Sequence, residues 1–486
     1  MIYKLRPYQE ECVKSISDYI NSDRHDPVLI VGPVGCGKSL LIAEAARLMG
    51  DKTLILQPSK ELLQQNHDKI TSYGIPATIY SASCGKKELS NMIYATLGSI
   101  KKVVDKLKEM GIRNVLIDEA HAGYSPEDGS EFMTFMNELK PKKVIGFTAT
   151  PCRLKNMSIG QTSYSQLNFI TRMRPVYFKN LIHVIQVEEM IRQGFWTPLK
   201  YETWDFNGDA LKLNSNGSEY TAESISEAVR KNGLNNLILR RLMVLKDVCR
   251  SILVFMDSVE SCNTAAEWMN AKICAGMAEV VHGGTPKKQR EAIVERFKSG
   301  GTRVVFNYSA LGTGFDHPGL DCVIVGRPTF SFSSFYQWLG RAVRIKDGKD
   351  SALVVDCCNN SSRFGDIRKL SIENYKGYGW GVFIGDKLIT NIPMGDKVTK
   401  TDLDIKAAKK DRRRGLAQGV TAAPVPGRPD HPLGSTVMTF GKYCGWMLHS
   451  IPVSYFKFIN ETFDWDNDRN KDIKEYIDFL IKNNRL

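Results

Sequence analysis

The sequence predicts an α/β protein with two lobes, each on a parallel sheet, a cleft between them, and a small C-terminal module. Three observations point there. Short, wholly apolar runs alternate with helical patterns, and the alternation restarts in the second half of the chain. A glycine-rich loop closes the first apolar run. At 486 residues the chain is also too long for one ordinary core.

Taken in order, Pro27-Val-Leu-Ile-Val31 reads as a buried strand, and Leu40 to Met49 as the helix after the loop. Thr53–Leu56, Asn114–Asp118 and Lys143–Thr148 are further strands. Runs that are apolar throughout suit a parallel sheet covered on both faces. Ser251–Phe255, Ala278–Val281, Arg303–Phe306, Asp321–Val325 and Ala352–Asp356 form the second lobe. The expected organisation is a first lobe over 1–160, a connecting or inserted segment over 161–240, and a second lobe over 241–394. The inserted segment includes the polar stretch Asn207–Ser218.

A basic linker is expected over 395–432, where eight Lys and Arg between 397 and 414 face Asp402, Asp404 and Asp411. A Pro/Gly run then starts at Ala423. Residues 433–486 hold enough aromatics, among them Phe440, Tyr443, Trp446, Tyr455 and Trp465, for a small folded module.

Apolar residues at 42% and charged residues at 24% are ordinary for a globular protein. The net charge of +13 is not, and it suits a polyanionic partner. The N-terminus lacks an apolar leader, and no apolar stretch reaches the roughly 18 residues of a membrane span. The expected compartment is the cytoplasm of a bacterium or of a phage-infected cell. Eleven scattered cysteines form no C-x-x-C pair, so no zinc is expected.

The loop Gly32-Pro-Val-Gly35-Cys-Gly37-Lys38-Ser39 fits G-x-x-x-x-G-K-[ST] between a strand and a helix. Its glycines free backbone N–H groups for phosphates beside a helix N-terminus. Lys38 should reach the β- and γ-phosphates, and Ser39 should hold Mg²⁺. Asp118 ends a strand and Glu119 follows it: one carboxylate can hold the metal while its neighbour activates water. His121 either relays nucleotide state or is a satisfied buried histidine. Arg341 and Arg344 are spaced i, i+3, so a helix would present both on one face, with Gln337 and Gly340 at matching offsets. These are the parts of a nucleoside triphosphatase worked between two lobes.

Together these residues resemble a superfamily 2 helicase of the DEAH form, over roughly residues 3 to 356. The resemblance implies two RecA-like motor domains that use ATP and Mg²⁺. Arg6-Pro-Tyr8-Gln9 is similar to the adenine-reading element, with Gln9 on the base and Tyr8 stacking. Thr148-Ala-Thr150 resembles the motif that couples hydrolysis to strand binding, and Asn307 to Asp316 the motif that brings Gly314 and Asp316 to the nucleotide. Strand contacts are implied at Pro58, Ser59 and Lys60, at Thr96, Gly98 and Ser99, and at Ser258, Gly283, Thr285 and Ser309.

Within the superfamily, Leu5-Arg-Pro-Tyr-Gln9 and Gly146-Phe-Thr-Ala-Thr-Pro151-Cys-Arg153 look most like RadD-type DNA repair helicases and phage branch-migration helicases of the UvsW type. The RadD-type cysteine-rich zinc elements have no counterpart here. The implied activity is 3′-to-5′ translocation on forked or branched DNA in recombination and repair. Residues 433–486 would dock nucleic acid or recombination and replication proteins. An RNA helicase, a duplex translocase and a nucleotide-gated clamp remain the alternatives.

Overall fold

The structure, a computed structural model, describes residues 4–407 except 51, 125, 128, 160–161, 313–314, 377 and 395. It also describes 432–439, 443, 445–451, 453–462, 465 and 470–483. The chain divides into two compact units. One comprises Met1–Asn374 with Trp380–Val398, the other Tyr375–Gly379 with Thr399–Leu486.

The first unit contains two sheets. The N-terminal one uses β1 (Val28–Val31), β2 (Thr53–Leu56), β3 (Thr78–Ser81), β4 (Lys86–Lys87), β5 (Met92–Ala95), β6 (Asn114–Ile117) and β7 (Lys143–Thr148). A hairpin, β8 (Cys152–Ile159) and β9 (Thr162–Phe169), precedes β10 (Asn180–Val184). The strand order is β10-β1-β7-β6-β2-β5-β3-β4. Every pairing is parallel except that of β4 with β3. β1, β2, β6 and β7 are buried along their whole length, as their unalternated apolar sequences require.

The second sheet is parallel throughout, in the order β11 (Leu199–Thr203), β16 (Ala352–Asp356), β15 (Cys322–Val325), β12 (Ile252–Phe255), β14 (Val304–Tyr308) and β13 (Ala278–His282). The architecture is therefore the expected pair of parallel-sheet, RecA-like domains.

The segment 161–240 is not an insertion between them. β10 pairs with β1 at the edge of the first sheet, and β11 pairs with β16 at the edge of the second. Both are half exposed, so polar residues such as Asn180, His183 and Lys200 break the apolar signal that marks a central strand.

Parallel strands place all their carboxyl ends at one edge, where open α/β sheets bind ligands. Val31 pairs with Thr148, and Leu56 with Ile117. Gly32, Gln57, Asp118 and Thr148 consequently emerge along one rim.

In the second unit, residues 400–407 are helical, while 408–431, most of the expected basic linker, lie outside the described residues. The helices Val453–Thr462 and Lys471–Lys482 bury a small core that includes Met438, Leu448, Phe456, Ile459, Tyr476 and Ile477. No helix among the described residues is long and apolar enough to cross a membrane.

Candidate active site

β1 delivers the phosphate loop directly into α2 (Lys38–Met49). Gly35 and Gly37 hold φ of +83° and +81°, left-handed values that a side chain would strain. A Cβ on Gly37 would also meet Gln9 Nε2 at 2.5 Å. Gly32 faces inward, where a Cβ would lie 2.7 Å from Cys36 Sγ. The loop borders a cleft of about 440 Å³ whose lining comes from both lobes.

Lys38, Ser39, Asp118 and Glu119 form the cleft floor. Lys38 Nζ donates to Glu119 Oε1 and lies 3.5 Å from Asp118 Oδ1. Asp118 Oδ1 accepts the Glu119 N–H at 2.9 Å across a turn in which Glu119 has φ +47°.

Burial weakens both carboxylates as anions, yet they diverge. Burial works against the Glu119 charge, but Lys38 and then His121 outweigh it and hold Glu119 well below the usual carboxylate range. For Asp118, burial wins over Lys38 and raises the pKa. Burial also disfavours the Lys38 ammonium, which the two carboxylates more than reverse. Of the two, Glu119 is the better stabilised anion. Asp118 is buried, 3.5 Å from Lys38 Nζ, and joined to the Ser39 hydroxyl through Asn66. This hydroxyl–carboxylate set offers the hard oxygen donors that Mg²⁺ takes.

His121 bridges Glu119 and Thr148. Its Nδ1 lies 3.3 Å from Glu119 Oε2 and 2.8 Å from Thr148 Oγ1. Thr150 joins through its N–H, which donates to Thr148 Oγ1 at 3.1 Å.

The second lobe contributes Asp316, Gln337, Arg341 and Arg344 to the same cleft. The arginines are not on a helix. The helix Phe332–Leu339 ends before them, and the Arg341 and Ala342 N–H groups close tight turns onto the Trp338 and Leu339 carbonyls. Arg341 donates to Phe315 O at 2.6 Å and Gly312 O at 2.7 Å, whereas Arg344 pairs with Asp316. Burial, and then Arg344, push Arg341 down to about 10, so it stays charged at neutral pH. Gly314 lies outside the described residues.

Gln9 also lines the cleft. Its Oε1 accepts from Arg6 N at 3.0 Å and its Nε2 donates to Cys36 O at 2.9 Å. One amide proton and one lone pair are left for a base. Tyr8 does not fit the stacking role. It is 0% exposed, its hydroxyl donates to Cys36 O at 3.1 Å, and its ring packs edge-on against Phe195. Tyr8 is core because it begins the buried face of α1 (Pro7–Asn21). The aromatics that do line the cleft are Tyr73 and Phe195, with the Arg6 guanidinium 4.5 Å over the Phe195 ring.

Asn66 was also missed. It lies on α3 (Lys60–Ser72), is 5% exposed, and reaches Ser39, Asp118 and Gln57. Nothing in a lone mid-helix asparagine announces such partners, which are far apart in sequence.

The expected strand contacts occupy helix starts and turns. Ser59 and Ser258 cap their helices by accepting from Leu62 N and Ser261 N. Ser99 accepts from Ala82 N at 3.0 Å and from Thr96 Oγ1 at 3.2 Å. Pro58 is partly exposed, while Lys60, Gly98, Gly283 and Ser309 are exposed. Thr285 is buried, and its hydroxyl accepts from His282 N at 3.0 Å within the turn. A second groove, of about 680 Å³, carries Lys60, Lys287, Arg290 and Lys298 against Glu61, Asp68, Glu291 and Asp316. It is balanced in charge, not a cationic track.

Comparison with known proteins finds one family match in each lobe. Residues 2–153 match the family described as type III restriction enzyme, res subunit, and residues 235–346 match the helicase conserved C-terminal domain. The chain is 25% identical over 332 residues to the 51.5 kDa protein of Lactococcus phage (isolate 7-9), covering 68% of this chain and 65% of the relative. It is also 25% identical over 383 residues to the DNA 3'-5' translocase XPB2 of Sulfurisphaera tokodaii, covering 72% of this chain and 81% of the relative. Among solved structures, the ATP-dependent Type ISP restriction-modification enzyme LlaBIII bound to DNA aligns with a TM-score of 0.53 at 15% identity. That alignment covers 73% of this chain and 28% of the enzyme.

Proposed function

We propose that this chain, which carries the two motor domains of a superfamily 2 helicase, hydrolyses ATP to move along DNA. One observation carries the reading. Glu119 is held as an anion between Lys38 and His121 in a cleft that the second lobe completes with Arg341 and Arg344.

In the proposed cycle, Ser39 and Asp118 would hold Mg²⁺, which would supply neutralisation of charge on the phosphates. Lys38 leaves Glu119 for the β- and γ-phosphates. Glu119, freed of that partner, orients the attacking water and takes its proton. Arg344 leaves Asp316 to meet the charge that develops on the γ-phosphate, a contribution worth roughly 10³–10⁵ in rate where such arginines have been tested. Arg341 keeps the carbonyls of Gly312 and Phe315 and so ties that movement to the run that leads to Asp316. His121 passes the state of Glu119 to Thr148.

The DNA substrate is supported by the net charge of +13 and by a relative named as a DNA 3'-5' translocase. On the finer question, remodelling of forked or branched DNA with 3′-to-5′ polarity fits the opening Leu5–Gln9 and the run Gly146–Arg153. A second reading, movement on duplex without separating strands, is favoured by the restriction-enzyme family match over residues 2–153.

Triplex displacement and fork unwinding, run side by side on the full chain, separate the two. Unwinding of forks with ATP supports the first reading. Displacement of a third strand from intact duplex without unwinding supports the second. Neither activity, at normal ATP turnover, would overturn both.

A further inference from the structure

Asn66 is the middle of a buried polar chain at the cleft floor. Ser39 Oγ donates to Asn66 Oδ1 at 2.6 Å, and Asn66 Nδ2 donates to Asp118 Oδ2 at 3.0 Å and to Gln57 Oε1 at 3.1 Å. Asn66 is 5% exposed and Gln57 1%.

We propose that Asn66 is the positioning residue of the metal site, presetting Ser39 and Asp118 for a divalent cation, with Gln57 as its seat. The inference rests on the nucleotide-hydrolysing reading above.

The polarity of the chain follows from its members. A carboxylate only accepts, so Asp118 must face the amide nitrogen of Asn66. The amide oxygen then faces Ser39, and the hydroxyl has to spend its one proton there. Both hydroxyl lone pairs are left for a cation. Without Asn66 that proton would lose the acceptor that keeps both lone pairs turned outward.

On the carboxylate, Oδ1 already accepts from Glu119 N and Oδ2 from Asn66, so its plane is fixed from both ends. Gln57 holds the amide in turn, and is itself fixed where β2 ends, its N–H donating to Ala95 O at 2.9 Å. Outer partners of this kind orient first ligands, and their loss costs about 10–100-fold in metal affinity.

The test is binding of a fluorescent ADP analogue to the full chain, titrated with Mg²⁺ and repeated in EDTA. Asn66→Ala should need at least tenfold more Mg²⁺ for half-maximal binding, with affinity in EDTA unchanged. Gln57→Leu, which leaves Asn66 but removes its seat, should shift the Mg²⁺ requirement in the same direction by less. It also serves if Asn66→Ala does not fold. A folded Asn66→Ala protein with the wild-type Mg²⁺ requirement would overturn the inference. So would equal losses with and without Mg²⁺, which would mark Asn66 as a purely structural residue. Wild-type protein that binds no analogue at all would instead overturn the nucleotide-hydrolysing reading, and this inference with it.

Discussion

Val34 of the phosphate loop packs so closely on Gly340 of the second lobe that a Cβ at 340 would lie 2.5 Å from Val34 Cγ2. Gly340 has φ −60°, open to any residue, so glycine is needed there for space and not for conformation. Two hydrogen bonds add to the junction. Trp196 Nε1 donates to Val34 O at 2.8 Å, and Thr197 N donates to Val343 O at 2.8 Å. The loop built for phosphate thus bears directly on the turn that carries the arginines.

Gly340→Ala should therefore push those two loops apart. Overpacking of this kind costs about 1–3 kcal/mol, and small misplacements of catalytic groups cost up to about 10²-fold in rate. The expected result is a large fall in kcat for ATP with little change in nucleotide affinity, read by steady-state kinetics and equilibrium binding. An unchanged kcat would make the contact incidental.

Glu119→Gln should lose about 10²–10⁴ in turnover, the usual worth of a general base, and still bind ATP. Lys38→Ala should lose turnover too while keeping much of its DNA binding, because the expected strand contacts lie on other turns. Single-turnover hydrolysis and filter binding check both. Normal turnover in either variant would contradict the assignment.

Lys349 is expected to hold the arginine turn in place. Its Nζ donates to Ala342 O at 2.7 Å, Arg344 O at 2.8 Å and Pro318 O at 3.1 Å. Burial brings its pKa down to about 8, so the full set of three donors is lost as pH rises through that value. Lys349→Met should lower kcat several-fold at pH 7 and flatten the pH profile above 8. Lys349→Arg should move the alkaline fall to higher pH.

His317 gives the acid side of stability. It is 5% exposed, its Nε2 lies 2.8 Å from Ser251 Oγ, and burial followed by Lys346 and Lys298 lowers its pKa to about 4. The unfolded chain, with an ordinary value near 6.5, binds the proton first. Stability is therefore complete above about pH 6.5 and declines toward pH 4, by up to about 3 kcal/mol from this residue. His317→Gln, which cannot titrate, should reduce the fall in melting temperature between pH 6.5 and 4.5.

Deleting residues 433–486 should spare basal ATPase, since Met438, Phe456, Tyr476 and their neighbours form a core of their own. Selection among DNA structures should weaken instead. ATPase assays of the truncated chain with and without forks would show it, and a collapse of basal rate would contradict the separation.

What could be read in the sequence had local causes. Lys38, Ser39, Asp118 and Glu119 stood out because fully apolar strands run straight into them, and those strands are central and buried. Arg341 and Arg344 were found by their spacing, although they lie on turns beyond Leu339 rather than on a helix face. What was hidden depends on distant partners. Tyr8 looked available but is packed under Phe195, and Asn66 gains its meaning only when α3 folds against β2 and β6. β10 and β11 escaped notice because edge strands keep polar residues on their open side.

The central claim is ATP hydrolysis coupled to DNA, and the steady-state ATPase rate of the full chain tests it most directly. The panel is no nucleic acid, single-stranded DNA, blunt duplex, a fork, a four-way junction and matched RNA. The account predicts strong stimulation by DNA, greatest with the fork and junction, and its loss in Glu119→Gln. Equal or greater stimulation by RNA, or a rate that no nucleic acid changes, would contradict it.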